Sequence, residues 1–389
     1  MHVLEATETF DVTWPDPGLA ALPWIRDRMH LPNPIAPLAQ RLIADHYERV
    51  LSAPMLFVNG YQFSLPPTMP QPTPEIAENV TRVWQEEFSP RIRAFCESVR
   101  ATDFDALSAP ELAQTLQRLV DESTEMFRLT LRVVSTFQAP TFELLDYLEQ
   151  EMGPTGPVLV GTILQGTANE SAASGDSLAE LAALAAASPA LAAAVGSGDL
   201  KAMRSAPGGD AFDTTLQHFL SEYGWRAETW GSLHVPTWAE EPAAVLALVA
   251  RYLDDPDGGL AASTRRAREQ RAVALVEVES QLSGERLETF RQRLRRAEAH
   301  VPVSEDRARW QLSLIGVLRL PALALGRKLA SAGMLDRPGD VFYLTWEDAA
   351  RAANEPGEWV RAAAAHGLSE FERWERLIHP SPHASPMER

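Results

Sequence analysis

A mainly α-helical fold is predicted for this 389-residue chain, in two helical lobes with a short N-terminal hairpin and a short C-terminal strand. Three observations predict it. After Pro37 most of the chain repeats its apolar residues with a 3.6-residue period, the signature of helices that bury one face. Strand-like alternation is confined to the short stretch MLFVNGYQFSLPP and to residues Val341 to Leu344. The composition, 45% hydrophobic and 23% charged, is that of a folded globular protein, and a chain of this length exceeds the roughly 250 to 300 residues at which single cores stop growing.

Prolines 15, 17, 23, 32 and 34, with Trp14 and Trp24 between them, make the first 34 residues an extended, packed segment, because proline fixes φ and removes a donor. From Pro37 the spacing Leu38, Leu42, Ile43, Tyr47, Val50, Leu51 predicts an amphipathic helix ending before Pro54. Asn59-Gly60 is the dipeptide favoured at positive φ in two-residue hairpin turns. A proline-rich loop (66 to 74) then precedes helices over about 75–99 and 108–148, the second broken near Ala139-Pro140. Residues 153–176 are rich in Gly, Thr, Ser and Pro and read as a connecting loop between an N-terminal lobe (1–152) and a C-terminal helical lobe (177–378). The Ala-rich segment 177–204 is expected to be helical with a break at Ser188-Pro189. Further helices are expected over 211–222, 240–254, 260–299, split near Ser283-Gly284, and 303–333. Gly333 and Pro338 then stop the last of these before the strand Val341 to Leu344. Thr345 with Asp348 is a capping signature for a final helix group, and residues 379–389 form a disordered tail.

The formal charge of −18 and pI near 5.0 oppose nucleic-acid phosphates and anionic lipid, so neither is an expected partner. A phosphate-bearing ligand would need a locally cationic pocket. The single cysteine, Cys96, permits no internal disulfide and reads as a buried thiol, which points to a cytoplasmic, reducing compartment. The N-terminus lacks the basic and apolar regions of a signal peptide, and the Ala-rich segment is too interrupted to span a membrane. His2, His379 and His383 fall in termini expected to fray.

The densest chemistry is in HFLSEYGWRAETWGSLHVPTW, His218 to Trp238. His218 and Glu222, at i and i+4, share a helix face and are suited to an acid/base pair, to two metal ligands, or to a helix-face hydrogen bond; no third ligand stands nearby, so no metal site is expected. Arg226 lies between Trp225 and Trp230 and beside Glu228, where its guanidinium could clamp an oxyanion, stack on an aromatic ligand, or only shape the loop. The charges Asp121, Glu122, Glu125, Arg128 and Arg132 read as a solvated helix face or as a polar stripe along a cavity. No GxxxxGK[ST], GxGxxG or GxSxG motif is present, and one cysteine precludes a cysteine-cluster zinc site.

This stretch and a second, Gly326 to Asp348 (GRKLASAGMLDRPGDVFYLTWED), give the chain its resemblance to a known family. The positions that carry it are Val58-Asn59-Gly60-Tyr61, the Gly166 to Glu170 stretch, Phe219, Tyr223, Gly224 and Arg226, then Pro236, Trp238 and Glu241-Pro242. Gly326, Leu329, Gly333, Leu335 and Asp340 to Leu344 complete the set. Over about residues 10 to 352 the chain resembles the substrate domain of phosphoenolpyruvate-synthase-like phosphotransferases, the group that includes rifampin phosphotransferase, standing alone without the ATP-grasp and phosphohistidine swivelling domains. Where many relatives follow the Tyr-Gly pair with His-Arg-Gly and then Gly-Glu, this chain has Trp225, Ala227 and Thr229-Trp230.

The resemblance implies a subunit that binds a small aromatic or hydroxylated molecule, with His218 and Arg226 as catalytic groups and Asn59, Tyr61, Glu222, Trp225, Glu228 and Trp230 around the substrate. Separate ATP-grasp and phosphohistidine subunits would supply ATP and Mg, with no cofactor bound directly. The alternative is a stand-alone enzyme of lyase, isomerase or condensation type, or a ligand-binding protein, that reuses the acceptor pocket without phosphotransfer.

Overall fold

Helix periods and caps set most of the architecture. The computed structural model describes His2, Val3 and residues 22–165, 170–254 and 260–377, so Trp14, Pro15, Pro17, most of the Gly166 to Glu170 stretch and the C-terminal tail lie outside the described residues. The protein is mainly α, with one small antiparallel sheet in the order β1-β2-β4-β3. Strands β3 (Met55–Val58) and β4 (Tyr61–Ser64) form the expected hairpin. Asn59 (φ 50°) and Gly60 (φ 74°) both take the positive φ that its two-residue turn requires. His2 is paired rather than frayed: β1 (His2–Val3) lies against β2 (Ile25–Arg26). That pairing answers backbone groups which a free terminus would leave to water.

Helix α1 (Pro37–Asp45) runs into a π-helical turn, His46–Val50. Next come α2 (Pro74–Glu78), α3 (Val80–Val83) and α4 (Ser89–Ala101). Helix α5 (Ala109–Arg132) starts where the Glu111 carboxylate accepts from both the Ser108 backbone N–H (2.8 Å) and its hydroxyl (2.6 Å). The break before α6 (Val134–Met152) falls at Val133, not at Ala139-Pro140. The Val133 carbonyl accepts from both the N–H (3.2 Å) and the hydroxyl (2.6 Å) of Thr136, a local alternative to helix continuation. Pro140 is carried inside α6.

Where a loop is expected over 153–176, the described residues form α7 (Thr155–Gln165) and the start of α8 (Glu170–Ala186). Leu159, Val160 and Ile163 bury themselves against Leu144, Leu148, Val278 and Phe290, and that packing overrides the weak propensity of Gly, Thr and Pro. Helices α9 (Pro189–Gly196), α10 (Leu200–Ser205), α11 (Gly209–Tyr223) and α12 (Ala243–Asp254) pack with α8 around Leu181, Phe212, Phe219 and Leu246. After α13 (Leu260–Gln281) the chain breaks at Ser283-Gly284 as expected.

No second break follows. Helix α14 (Gly284–Ser331) is continuous over 48 residues, through Pro302 and Pro321. At 1.5 Å per residue it is about 72 Å long, and it packs against α4, α5, α6 and α8. It ends in a Schellman motif, in which the Met334 N–H reaches the Leu329 carbonyl and the Gly333 N–H (φ 74°) reaches that of Ala330, both at 2.9 Å. The expected strand Val341 to Leu344 is a correction: Pro338–Tyr343 form a 3₁₀ helix. Pro338 presets helical φ, the Asp340 carboxylate accepts the Arg337 N–H at 2.9 Å, and Gly326 lets the Pro338 carbonyl rest on α14, where a Cβ would collide. The Thr345 hydroxyl accepts from Asp348 N (3.1 Å) to cap α15 (Trp346–Asn354), and α16 (Trp359–Leu377) closes the described chain.

The charges on α5 form a surface network: Arg49 meets Asp121 at 2.6 Å, Arg118 meets Glu122 at 3.0 Å and Arg128 meets Glu125 at 3.2 Å. Exposed pairs of this kind contribute about 0 to 1 kcal/mol each.

Candidate ligand cleft

The bend after α11 is docked tightly onto α14. The Ala227 N–H reaches the Leu312 carbonyl at 3.0 Å, and a Cβ on Gly316 would collide with the Trp225 carbonyl oxygen. Trp230, 6% exposed, stacks on His30 at 4.0 Å and meets Phe127 edge-on at 5.0 Å; Phe127 in turn stacks on the buried His46 at 4.2 Å. Arg226 lies over the Trp238 ring at 4.5 Å. Glu222 pairs with Arg309 at 3.2 Å, and Arg100 lies over Trp225 at 5.1 Å. The void these groups share with Arg93 and Cys96 is about 30 Å³, room for about one water.

The eight residues expected to form the site therefore do not converge on one cavity. Glu222 and Trp225 line the small void, while the His218 side chain is exposed on α11. Glu228 borders a separate cavity of about 150 Å³ beside His234, Phe371 and Glu375. Asn59 accepts from Arg373 at 3.3 Å and the Tyr61 hydroxyl donates to the Trp374 carbonyl at 3.3 Å, so the hairpin turn holds α16.

Buried polar groups reinforce the packed side. Asp27 accepts from the Tyr47 hydroxyl (2.7 Å), from His30 Nδ1 (2.8 Å) and from the His30 backbone N–H (3.0 Å). Burial pushes its carboxyl up, but these hydrogen bonds and the His30 charge outweigh burial and hold it down to about 2. His46 is pushed down to about 3, chiefly by burial and then by Arg49, and both its ring nitrogens lack partners.

The large opening lies elsewhere, between α2–α3, α6 and the middle of α14. Its main chamber is about 1000 Å³ and is bordered by Arg82, Thr136, Pro140, Gln292, Arg295 and Arg296. A second chamber of about 460 Å³ is bordered by Thr141, Gly161, Leu164, Ser304 and Glu305. His300 lines both. Its Nδ1 sits 2.6 Å from the Arg296 carbonyl, which can only accept, so Nδ1 is the donor of that contact. Both long helices that wall the cleft carry an internal proline beside it, Pro140 in α6 and Pro302 two residues past His300. Without an N–H these prolines cannot bond the carbonyls of Thr136 and Glu298, the usual cause of a local kink. The Thr81 hydroxyl donates to the Ala299 carbonyl (3.1 Å) and ties α3 to the same stretch of α14.

The residue reading did not single out His300, Thr136 or Ser304. The one signal in the sequence was proline: Pro140 at the break expected within 108–148, and Pro302 in the gap between the helices expected over 260–299 and 303–333. Among the described residues no cluster of three or more His, Cys, Asp or Glu side chains is arranged to hold a metal ion, and no helix is long and apolar enough to cross a membrane.

Comparison with known proteins places this geometry in a family context. Residues 128–305 match the family described as the rifampicin phosphotransferase fourth domain, so over that segment the chain is similar to a domain of a phosphotransferase, as the motif resemblance implied. The match runs from late α5 to just past His300 and includes both the bend and the α6 and α14 walls of the cleft. Chondramide synthase of Chondromyces crocatus is 24% identical over 381 residues, covering 89% of this chain and 10% of that protein. The chain thus spans about a tenth of the length of that curated relative.

Proposed function

We propose that this chain is the acceptor-binding module of a phosphoenolpyruvate-synthase-like phosphotransferase, holding a small aromatic or hydroxylated molecule in the His300 cleft. The observation that carries this reading is that two walls of the cleft lie in the family-matched segment: α6, His300 and Ser304 fall within 128–305, the α2–α3 wall precedes it, and the chambers have the size of small-molecule sites. ATP and Mg would act through phosphate-activating parts outside these 389 residues, whether separate subunits or other domains. The module's own contribution is orientation, which supplies much of phosphoryl-transfer catalysis. In this reading Trp230, Tyr61 and Asn59 hold the frame, and His218 and Arg226, which border neither chamber, are not assigned a step.

The synthase relative favours a second reading, an acceptor pocket reused for other chemistry without phosphotransfer. Reconstitution separates the two. The chain is combined with candidate ATP-grasp and phosphohistidine proteins, γ-labelled ATP, Mg and a panel of aromatic alcohols. Label transferred to an alcohol, and lost when the cleft is blocked by Ala139→Trp, supports the first reading. Conversion of a panel member without ATP supports the second and removes the first.

A further inference from the structure

We propose that the cavity of about 150 Å³ bordered by Glu228, His234 and Glu375 is a second binding site, separate from the His300 cleft, for a small primary amine in its ammonium form. The bend after α11 supplies Glu228 and His234, and α16 supplies Phe371 and Glu375. None of the described residues that border the cavity is Lys or Arg, and among the described residues neither carboxylate has a hydrogen bond or an ion pair. The arginines around it are committed elsewhere. Arg319, whose charge reaches His234, holds Glu240 at 2.9 Å, and Arg373 pairs with Glu370 at 2.7 Å. Arg376 follows Glu375 directly on α16, and consecutive helix residues do not face each other. The two carboxylates are therefore left to a cation from outside the chain.

His234 completes the set of acceptors. Burial, and then the Arg319 charge, push its pKa down to about 4, so at neutral pH the ring is uncharged and one of its nitrogens carries a lone pair. Its Nδ1 is buried and has no hydrogen-bond partner, and a buried polar atom of this kind is costly until a donor satisfies it. An ammonium group presents three N–H donors, and the imidazole with the two carboxylates presents three accepting groups. Phe371, buried, meets His234 edge-on at 4.9 Å and borders the same cavity, where its ring adds cation–π attraction. At about 30 Å³ of liquid per water the cavity has room for about five waters, which suits an amine of a few heavy atoms and not an aromatic acceptor. Among the described residues no cluster of His, Cys, Asp or Glu is arranged to hold a metal ion, so an organic ammonium fits where a divalent cation does not.

The test is calorimetric titration of the full chain at neutral pH with ethanolamine, beside ethylene glycol, which lacks the charge, tetramethylammonium, which has the charge without the N–H donors, and Mg²⁺. Ethanolamine is expected to bind at least tenfold more tightly than each of the other three at low salt, and to lose most of that advantage at 0.5 M salt. Glu228→Gln and Glu375→Gln, at exposed positions, should each weaken ethanolamine at least fivefold with the melting temperature within error, and His234→Gln should weaken it while glycol is unaffected. Ala139→Trp, which blocks the His300 cleft, should leave ethanolamine binding as in the parent, so the two sites stand or fall separately. No binding of ethanolamine, binding that neither glutamine variant at 228 or 375 alters, or binding that Ala139→Trp abolishes overturns the second site. Equal or tighter binding of tetramethylammonium or Mg²⁺ overturns the primary-ammonium assignment.

Discussion

The bend from Tyr223 to Trp230 and the cleft at His300 are built from opposite ingredients. The bend gathers indoles, a guanidinium and carboxylates, yet the cavities it borders are about 30 Å³ and about 150 Å³, because Ala227 and Gly316 allow its backbone to lie directly on α14. The cleft is walled by unremarkable helical sequence, yet it opens to about 1000 Å³. Chemical richness along a loop therefore does not locate the largest cavity. Backbone approach closes one region, and prolines inside packed helices accompany the opening of the other.

The comparison can be broken most forcefully at Trp230. If it anchors the packed side, Trp230→Ala should cost about 3 to 5 kcal/mol in denaturant unfolding, the usual range for a buried indole. A variant as stable as the parent but defective in ligand binding would make Trp230 a pocket wall. Next in size is Gly316→Ala, whose Cβ would strike the Trp225 carbonyl; about 1 to 3 kcal/mol of overpacking strain is expected, with a lower melting temperature.

His46 gives a pH signature to the packed side. Its folded pKa is pushed down to about 3 while the unfolded chain titrates near the ordinary value of about 6.5, so below that pH the unfolded state binds the extra proton. Stability should fall by about 1.4 kcal/mol per pH unit as pH drops from about 6.5 toward 3, and it is fully present above that window. His234, pushed down to about 4 by burial and then Arg319, adds a similar loss over a narrower range. Urea titrations between pH 7 and 4 should show a shallower acid slope in His46→Leu, and an unchanged slope would dismiss the assignment. The smallest effect is expected at Arg226→Ala, which removes a guanidinium held 4.5 Å over Trp238 and should cost about 0.5 to 1 kcal/mol.

Much of the fold was legible in the sequence because local rules and tertiary packing agreed. Asn59-Gly60 dictated its hairpin, Thr345 with Asp348 its cap, Ser188-Pro189 its break and Gly333 its helix end. The departures occur where burial outweighed propensity: α7 formed from Gly, Thr and Pro over the Phe290 cluster, and α14 ran on through Pro302 because its partners hold both sides. The site was less legible. A helix-face spacing such as His218 and Glu222 fixes a shared direction but not what stands opposite, and here Glu222 meets Arg309 while His218 is exposed. His300 becomes informative only once α3 and α6 are set beside it, since no local pattern around a histidine in an arginine-rich helix distinguishes a cleft from solvent.

The most direct test is hydrogen–deuterium exchange of the full chain with and without saturating 4-hydroxybenzoate. Protection is predicted in peptides spanning 134–145 and 292–305, with none across 218–238. Protection confined to 218–238, with the α6 and α14 peptides unchanged, would contradict the placement of the ligand in the cleft.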